Sequence, residues 1–237
     1  MTNEEIQTYV YDINWLNNKL HDYVARIAFL EITEEYLKGH KDLSNDMPII
    51  GRIYNSVADA AVLRISSNYD RDSDTLSFFQ VLKWIRKNKK QIKEHFHNLD
   101  LDFTDDDLNR MESEINQSEV IKKFRTVRNN IVGHSNKKVS YITDIRRNLF
   151  YKNHKDRKSF LEDAETYKKN ALPHLLNMQD FIDMKDFSIK LLNNLKKCLK
   201  MPDRVFSQSG NSSEWGDFYK VQKKEALEFY LKISKNS

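Results

Sequence analysis

The sequence predicts an all-α protein, a helical bundle of long amphipathic helices with an additional C-terminal helix. Three observations lead there. The 237 residues include only 5 Gly and 3 Pro, apolar residues recur at steps of three and four over long segments, and no stretch sustains the alternation of a half-buried strand. With 39% hydrophobic residues the chain is long enough to bury a real core. Its single cysteine, Cys198, cannot close an internal disulfide, so a reducing, cytoplasmic setting is expected. The acidic start, Met1 to Glu5, leads into no apolar run, and a signal peptide is not expected. No segment approaches the roughly 18 apolar residues of a membrane span, so no membrane partner is expected.

The first helix is predicted over residues 4–38, where Ile6, Tyr9, Val10, Ile13, Leu16, Leu20, Tyr23, Val24, Ile27 and Leu30 form a stripe and Gly39 offers a stop. A polar loop through Asp46 follows. The second helix starts near Pro48 and runs to Ile65, with small residues at 58, 60 and 61 suited to close packing. Asp59 lies among its apolar positions and, if partly buried, needs a partner. The helix ends in Ser67 to Asp72, where Arg71 and Asp72 read as a solvated turn. Ser73 or Asp74 is the expected cap of a third helix carrying Leu76, Phe79, Val81, Leu82, Trp84 and Ile85. Its basic run, Arg86 to Lys90, reads as a solvated face. His95 and His97 diverge by about 200° on a helix and have no third ligand, so no metal and no cofactor is expected.

Thr104 is placed to cap a helix whose first turn takes Asp105, Asp106 and Asp107, favourable against the helix dipole. Its stripe of Leu108, Met111, Ile115, Ile121, Phe124, Val127 and Ile131 runs without Gly or Pro to Gly133. Ser159 is a possible cap for a segment through Tyr167, and residues 172–199 repeat the apolar spacing up to Pro202. Residues 207–213 read as a flexible linker, and 214–233 as a last helix that either docks on the body or meets a partner. The domain reading is a helical domain over 1–200, a linker over 201–213 and a C-terminal helix over 214–237.

The chemistry concentrates at the end of the predicted 105–133 helix, in Arg128-Asn129-Asn130-Ile131-Val132-Gly133-His134 and the following Ser135, Lys137 and Lys138. A permanent cation, two amides and a titratable imidazole fall within seven residues. Residues 137–158 then carry eight basic and two acidic residues, a net +6 in a chain of +4, interleaved with Tyr141, Phe150 and Tyr151. Such a stretch suits a phosphate backbone and offers stacking surfaces. His134 has the residue chemistry of a general acid or base for the 2′-hydroxyl of RNA, and Arg128 that of a bidentate phosphate fork. Arg followed by His after four to six intervening residues arises by chance about once in a chain of this composition. Arg147 with His154 is such a second match, but it lacks the adjoining helical stripe.

An all-helical domain with Arg128, the adjacent Asn129 and His134 at a helix end resembles the HEPN superfamily. The segment Ala58 to Asp70, leading to Leu76-Ser77-Phe78, is similar to its abortive-infection branch. The resemblance covers roughly residues 1–200 and leaves the C-terminal helix unplaced. It implies a metal-independent endoribonuclease, a toxin or antiphage effector, acting as a homodimer with facing motifs and in some cases restrained by an antitoxin or another defence-system protein. On that resemblance Arg128 and His134 are the catalytic pair. Asn129, Asn130, Ser135, Lys137 and Lys138 would bind RNA, and Asp59, Tyr69 and Asp70 would support them. At about 100° per residue Arg128 and His134 sit some 120° apart on one helix, which favours a composite site across a two-fold axis. The alternative is a non-catalytic HEPN-like module that binds RNA, a nucleotide or a protein partner.

Overall fold

A computed structural model describes residues 2–39, 48–72, 74–95, 101, 103–129, 162, 176–199 and 212–235. Among them are seven helices and no strand: α1 (Asn3–Gly39), α2 (Pro48–Ser66), α3 (Phe78–His95), α4 (Asp105–Gln117), α5 (Glu119–Val127), α6 (Met178–Cys198) and α7 (Ser212–Lys235). None of these helices is long and apolar enough to cross a membrane.

α1, about 55 Å long at 1.5 Å per residue, is the spine, and α2, α3, α6 and α7 all pack on it. Its predicted stripe from Ile13 to Leu30 is buried, together with Ala61, Val62 and Ile65 of α2 and Leu191, Leu192 and Leu195 of α6. Burying a side chain of this size stabilises by about 1.5–3 kcal/mol before conformational entropy is subtracted, so the shared core holds the bundle together. A smaller cluster of Ile32, Tyr36, Ile50, Ala226 and Tyr230 closes the C-terminal end of α1.

Several boundaries move for identifiable reasons. α3 begins at Phe78, because the Ser77 hydroxyl accepts from the N–H of Gln80 at 3.4 Å and so caps the helix instead of Ser73 or Asp74. Thr104 caps α4 as expected, in a reciprocal box with Asp107. The single helix predicted over 105–133 is broken at Ser118, whose backbone is extended (ψ 114°) and whose hydroxyl accepts from the N–H of Ile121. Ile115 and Ile121 would sit about 120° apart on one unbroken helix. Resetting the phase at Ser118 puts both into the core, each about 1% exposed or less. The segment starting at residue 172 is corrected likewise: Asn177 caps α6 in a box with Asp180, so this helix starts at Met178.

The last helix docks on the body. α7 starts at Ser212, inside the expected linker, and runs parallel to α1. Trp215 stacks on His21 with ring centroids 4.2 Å apart, and Tyr230 stacks on Tyr36 at 4.6 Å. The Tyr230 hydroxyl meets that of Thr33 at 2.7 Å, and Lys223 pairs with Glu31 at 2.9 Å. The loop through Asp46, His97, the segment from Ser159 through Tyr167 apart from Glu162, Pro202 and residues 207–211 lie outside the described residues.

Candidate functional site

The site forms where the end of α5 meets the turn leaving α2. α5 is fixed by Ile121, Phe124 and Val127, all buried, and its last residues widen into a π-type turn at Arg128 and Asn129. Arg125 and Arg128, three residues apart, lie side by side on one flank. Opposite them, α2 tightens into a 3-10 turn over Ser67–Tyr69. Tyr69 anchors this turn. Its ring is fully buried and stacks on Phe78 at 5.4 Å, and its hydroxyl shares a 2.6 Å hydrogen bond with Ser188 of α6. Burial raises the Tyr69 hydroxyl above its ordinary pKa, with the Ser188 hydrogen bond opposing.

Asp70 leaves the turn in extended conformation, and its carbonyl accepts from the Ser77 hydroxyl at 2.6 Å. The backbone is thus held on both sides, and the carboxylate meets Arg128, with Nη1 to Oδ1 at 2.5 Å. Both side chains are mostly covered, at 24% and 15% exposure. Arg128 Nε donates to Asn129 Oδ1 at 3.1 Å, while Asn129 itself is exposed.

Three further cations surround this pair. Arg125 donates to the Tyr69 carbonyl and lies over the Phe79 ring at 5.6 Å. Arg71 covers the same ring at 5.2 Å and donates to Asn116 of α4. Lys19 of α1, 6% exposed, donates to the Ser67 hydroxyl at 3.1 Å and the Leu76 carbonyl at 3.3 Å. Burial lowers the Arg125 pKa, Arg71 and Arg128 lower it further, and Asp70 opposes them. Burial also lowers the Lys19 ammonium, helped by Arg64 and opposed by Asp70. One carboxylate therefore faces several cations, and the wall carries a surplus of positive charge suited to an anion.

Of the residues singled out in sequence, Arg128, Asn129 and Asp70 come together directly, and Tyr69 joins them through its carbonyl and the anchored turn. Asp59 does not. It is exposed on α2, so the expected need for a buried partner is corrected, although neighbouring atoms still raise its carboxyl through partial desolvation. No hydrogen bond or ion pair joins it to Arg128 among the described residues. Asn130, His134, Ser135, Lys137, Lys138 and the basic 137–158 stretch lie outside the described residues. Sequence reasoning missed Arg125, whose three-residue spacing from Arg128 was the available signal. It also missed Lys19, which sits in the apolar stripe of α1 and gives no local signal. Arg71 is exposed as expected, but it reaches across to α4 and Phe79 and is more than a solvated turn residue. Among the described residues no group of three or more His, Cys, Asp or Glu is placed to hold a metal ion.

Comparison with known proteins adds no identity: no family model, no curated protein and no solved structure matches the chain.

Proposed function

We propose that the chain is a metal-independent endoribonuclease of HEPN type, an antiphage or toxin effector, in which Arg128 holds the scissile phosphate and His134 moves the proton. The observation that supports this most is the way Arg128 is presented. Its guanidinium stands at a helix end, oriented by Asp70 and Asn129, on a wall with more cations than carboxylates. A bidentate guanidinium suits a phosphate whose charge grows in the transition state. An imidazole titrating near neutrality suits removal of the 2′-hydroxyl proton or protonation of the leaving oxygen. A homodimer whose two motifs face each other would bring Arg128 of one protomer towards His134 of its partner.

The test is incubation of the purified protein with RNA in excess EDTA. Cleavage leaving 2′,3′-cyclic phosphate ends is expected, DNA of the same sequence should stay intact, and His134→Ala and Arg128→Lys should each lose about 10²-fold or more. Equal rates for wild type and both variants would overturn the assignment. A second reading has its own observation: the short Arg128–Asp70 ion pair, mostly covered, is also what a structural arginine makes. A protein that binds RNA but leaves it intact under every divalent-free condition would favour that non-catalytic binding module.

A further inference from the structure

Resting on the ribonuclease reading, we infer that Arg71 and Arg125, stacked on Phe79 beside Arg128, form a second phosphate subsite that holds single-stranded RNA next to the cleaved bond.

The two guanidiniums are positioned but not neutralised. Arg125 is held by a backbone carbonyl and Arg71 by the amide oxygen of Asn116, both neutral acceptors. Neither has a carboxylate partner among the described residues. Asp70, the carboxylate whose charge acts on Arg125, is committed to Arg128. Neutral acceptors fix direction and leave the charge to be met by something else, whereas other arginines of this protein are satisfied by carboxylates, as Arg26 is by Asp22 and Arg86 by Glu112.

Phe79 is the platform. Both guanidinium carbons lie within 5.6 Å of its ring centroid, close enough for cation–π attraction, which spares the entropy of ordering two long side chains at the moment of binding. Arg71 is exposed, so its planar group is available to phosphate oxygens and to an unpaired base stacking on it. The unit is built from three elements: the turn after α2, α3 and α5. Its position beside Arg128 suits a neighbouring phosphate of the same strand.

The experiment uses a 2′-O-methyl RNA oligonucleotide, which lacks the attacking hydroxyl and reports binding without cleavage, with fluorescence anisotropy read across a salt series. Arg71→Gln and Arg125→Gln are each expected to weaken binding about three- to tenfold at low salt. The slope of log affinity against log salt should flatten by about 0.7 for each phosphate the protein no longer neutralises. A base-paired duplex of the same sequence should bind more weakly than the single strand. If Arg125→Gln loses its helical signal through the Tyr69 carbonyl it serves, Arg71→Gln at the exposed position decides. Unchanged affinity and salt slope in a folded Arg71→Gln protein, or no binding by wild type, overturns the subsite. Equal binding of the duplex overturns its preference for single strands. Cleavage of natural RNA by the wild type, assayed separately, tests the ribonuclease reading: weakened binding without any cleavage sinks that reading and keeps the subsite, and cleavage with unaltered binding does the reverse.

Discussion

Replacing Asp70 with Asn removes one charge from the wall and keeps the shape of the side chain. The Arg128–Asp70 pair spans 2.5 Å with exposures of 24% and 15%, so it falls between exposed pairs, worth about 0.2–1 kcal/mol, and fully buried pairs, whose breaking costs about 3–5 kcal/mol. A loss of about 1–3 kcal/mol follows, part of it arising because Arg125 and Lys19 lose a negative charge that offsets the repulsion each meets from neighbouring arginines. In a chain of this size each kcal/mol lowers Tm by about 2–4 °C. Urea unfolding of wild type, Asp70→Asn, Arg128→Met and the double variant gives the coupling directly. Binding should move the other way. An added unit of net positive charge about 7 Å from a phosphate is worth about 0.6 kcal/mol in water, so the 2′-O-methyl oligonucleotide should bind about threefold more tightly at low salt. A coupling energy within about 0.3 kcal/mol of zero, or RNA binding weakened in Asp70→Asn, would refute the view that this carboxylate both anchors Arg128 and offsets the cationic wall.

Two further outcomes follow from the capping and docking contacts. Thr104→Ala should cost about 1 kcal/mol through loss of the α4 capping box. Hydrogen bonds from the Thr104 backbone and hydroxyl hold Asp107 below its usual carboxyl range, so the stabilisation from its ionised form is present above the ordinary value and lost as pH falls through the depressed one; acid titration should show the wild-type advantage over Thr104→Ala shrinking there, and an advantage undiminished at pH 2 would count against it. At the α1–α7 contact, burial works to raise the Glu31 carboxyl, but hydrogen bonds from Tyr219 and Lys223 outweigh it and leave the pKa lowered. Glu31→Gln should therefore destabilise the protein near neutrality and much less at pH 3, read by chemical unfolding, and an effect independent of pH would mean that the ionised carboxylate does not hold α7.

The fold class was legible because long runs at helical spacing with few Gly or Pro leave one way to bury their stripes, and α1 and α2 were placed nearly to the residue. The caps were legible where a hydroxyl stood alone before an apolar run, as at Thr104, and misplaced where several candidates crowded together, as between Ser73 and Ser77. The break at Ser118 was present in the pattern as a phase slip between Ile115 and Ile121. It was overlooked because no Gly or Pro marks it. At the site, Arg128 and Asn129 stood out through local spacing and Asp70 through its resemblance-bearing segment, but their meeting requires the turn after α2 to lie against the end of α5.

By itself, then, the sequence determined the helices, the stripes they bury and the types of chemical group at the end of α5, because these depend on neighbours within a few turns. Only the tertiary structure decided that Asp70 faces Arg128, that Arg71 and Arg125 share the Phe79 ring, that Lys19 enters from α1, and that α7 lies along α1. Most of those pairings join residues far apart in the chain, 48 positions for Lys19 and Ser67 and 197 for Thr33 and Tyr230, and side-chain periodicity carries no information about which stripes meet. They are set by how the buried faces fill one another's space.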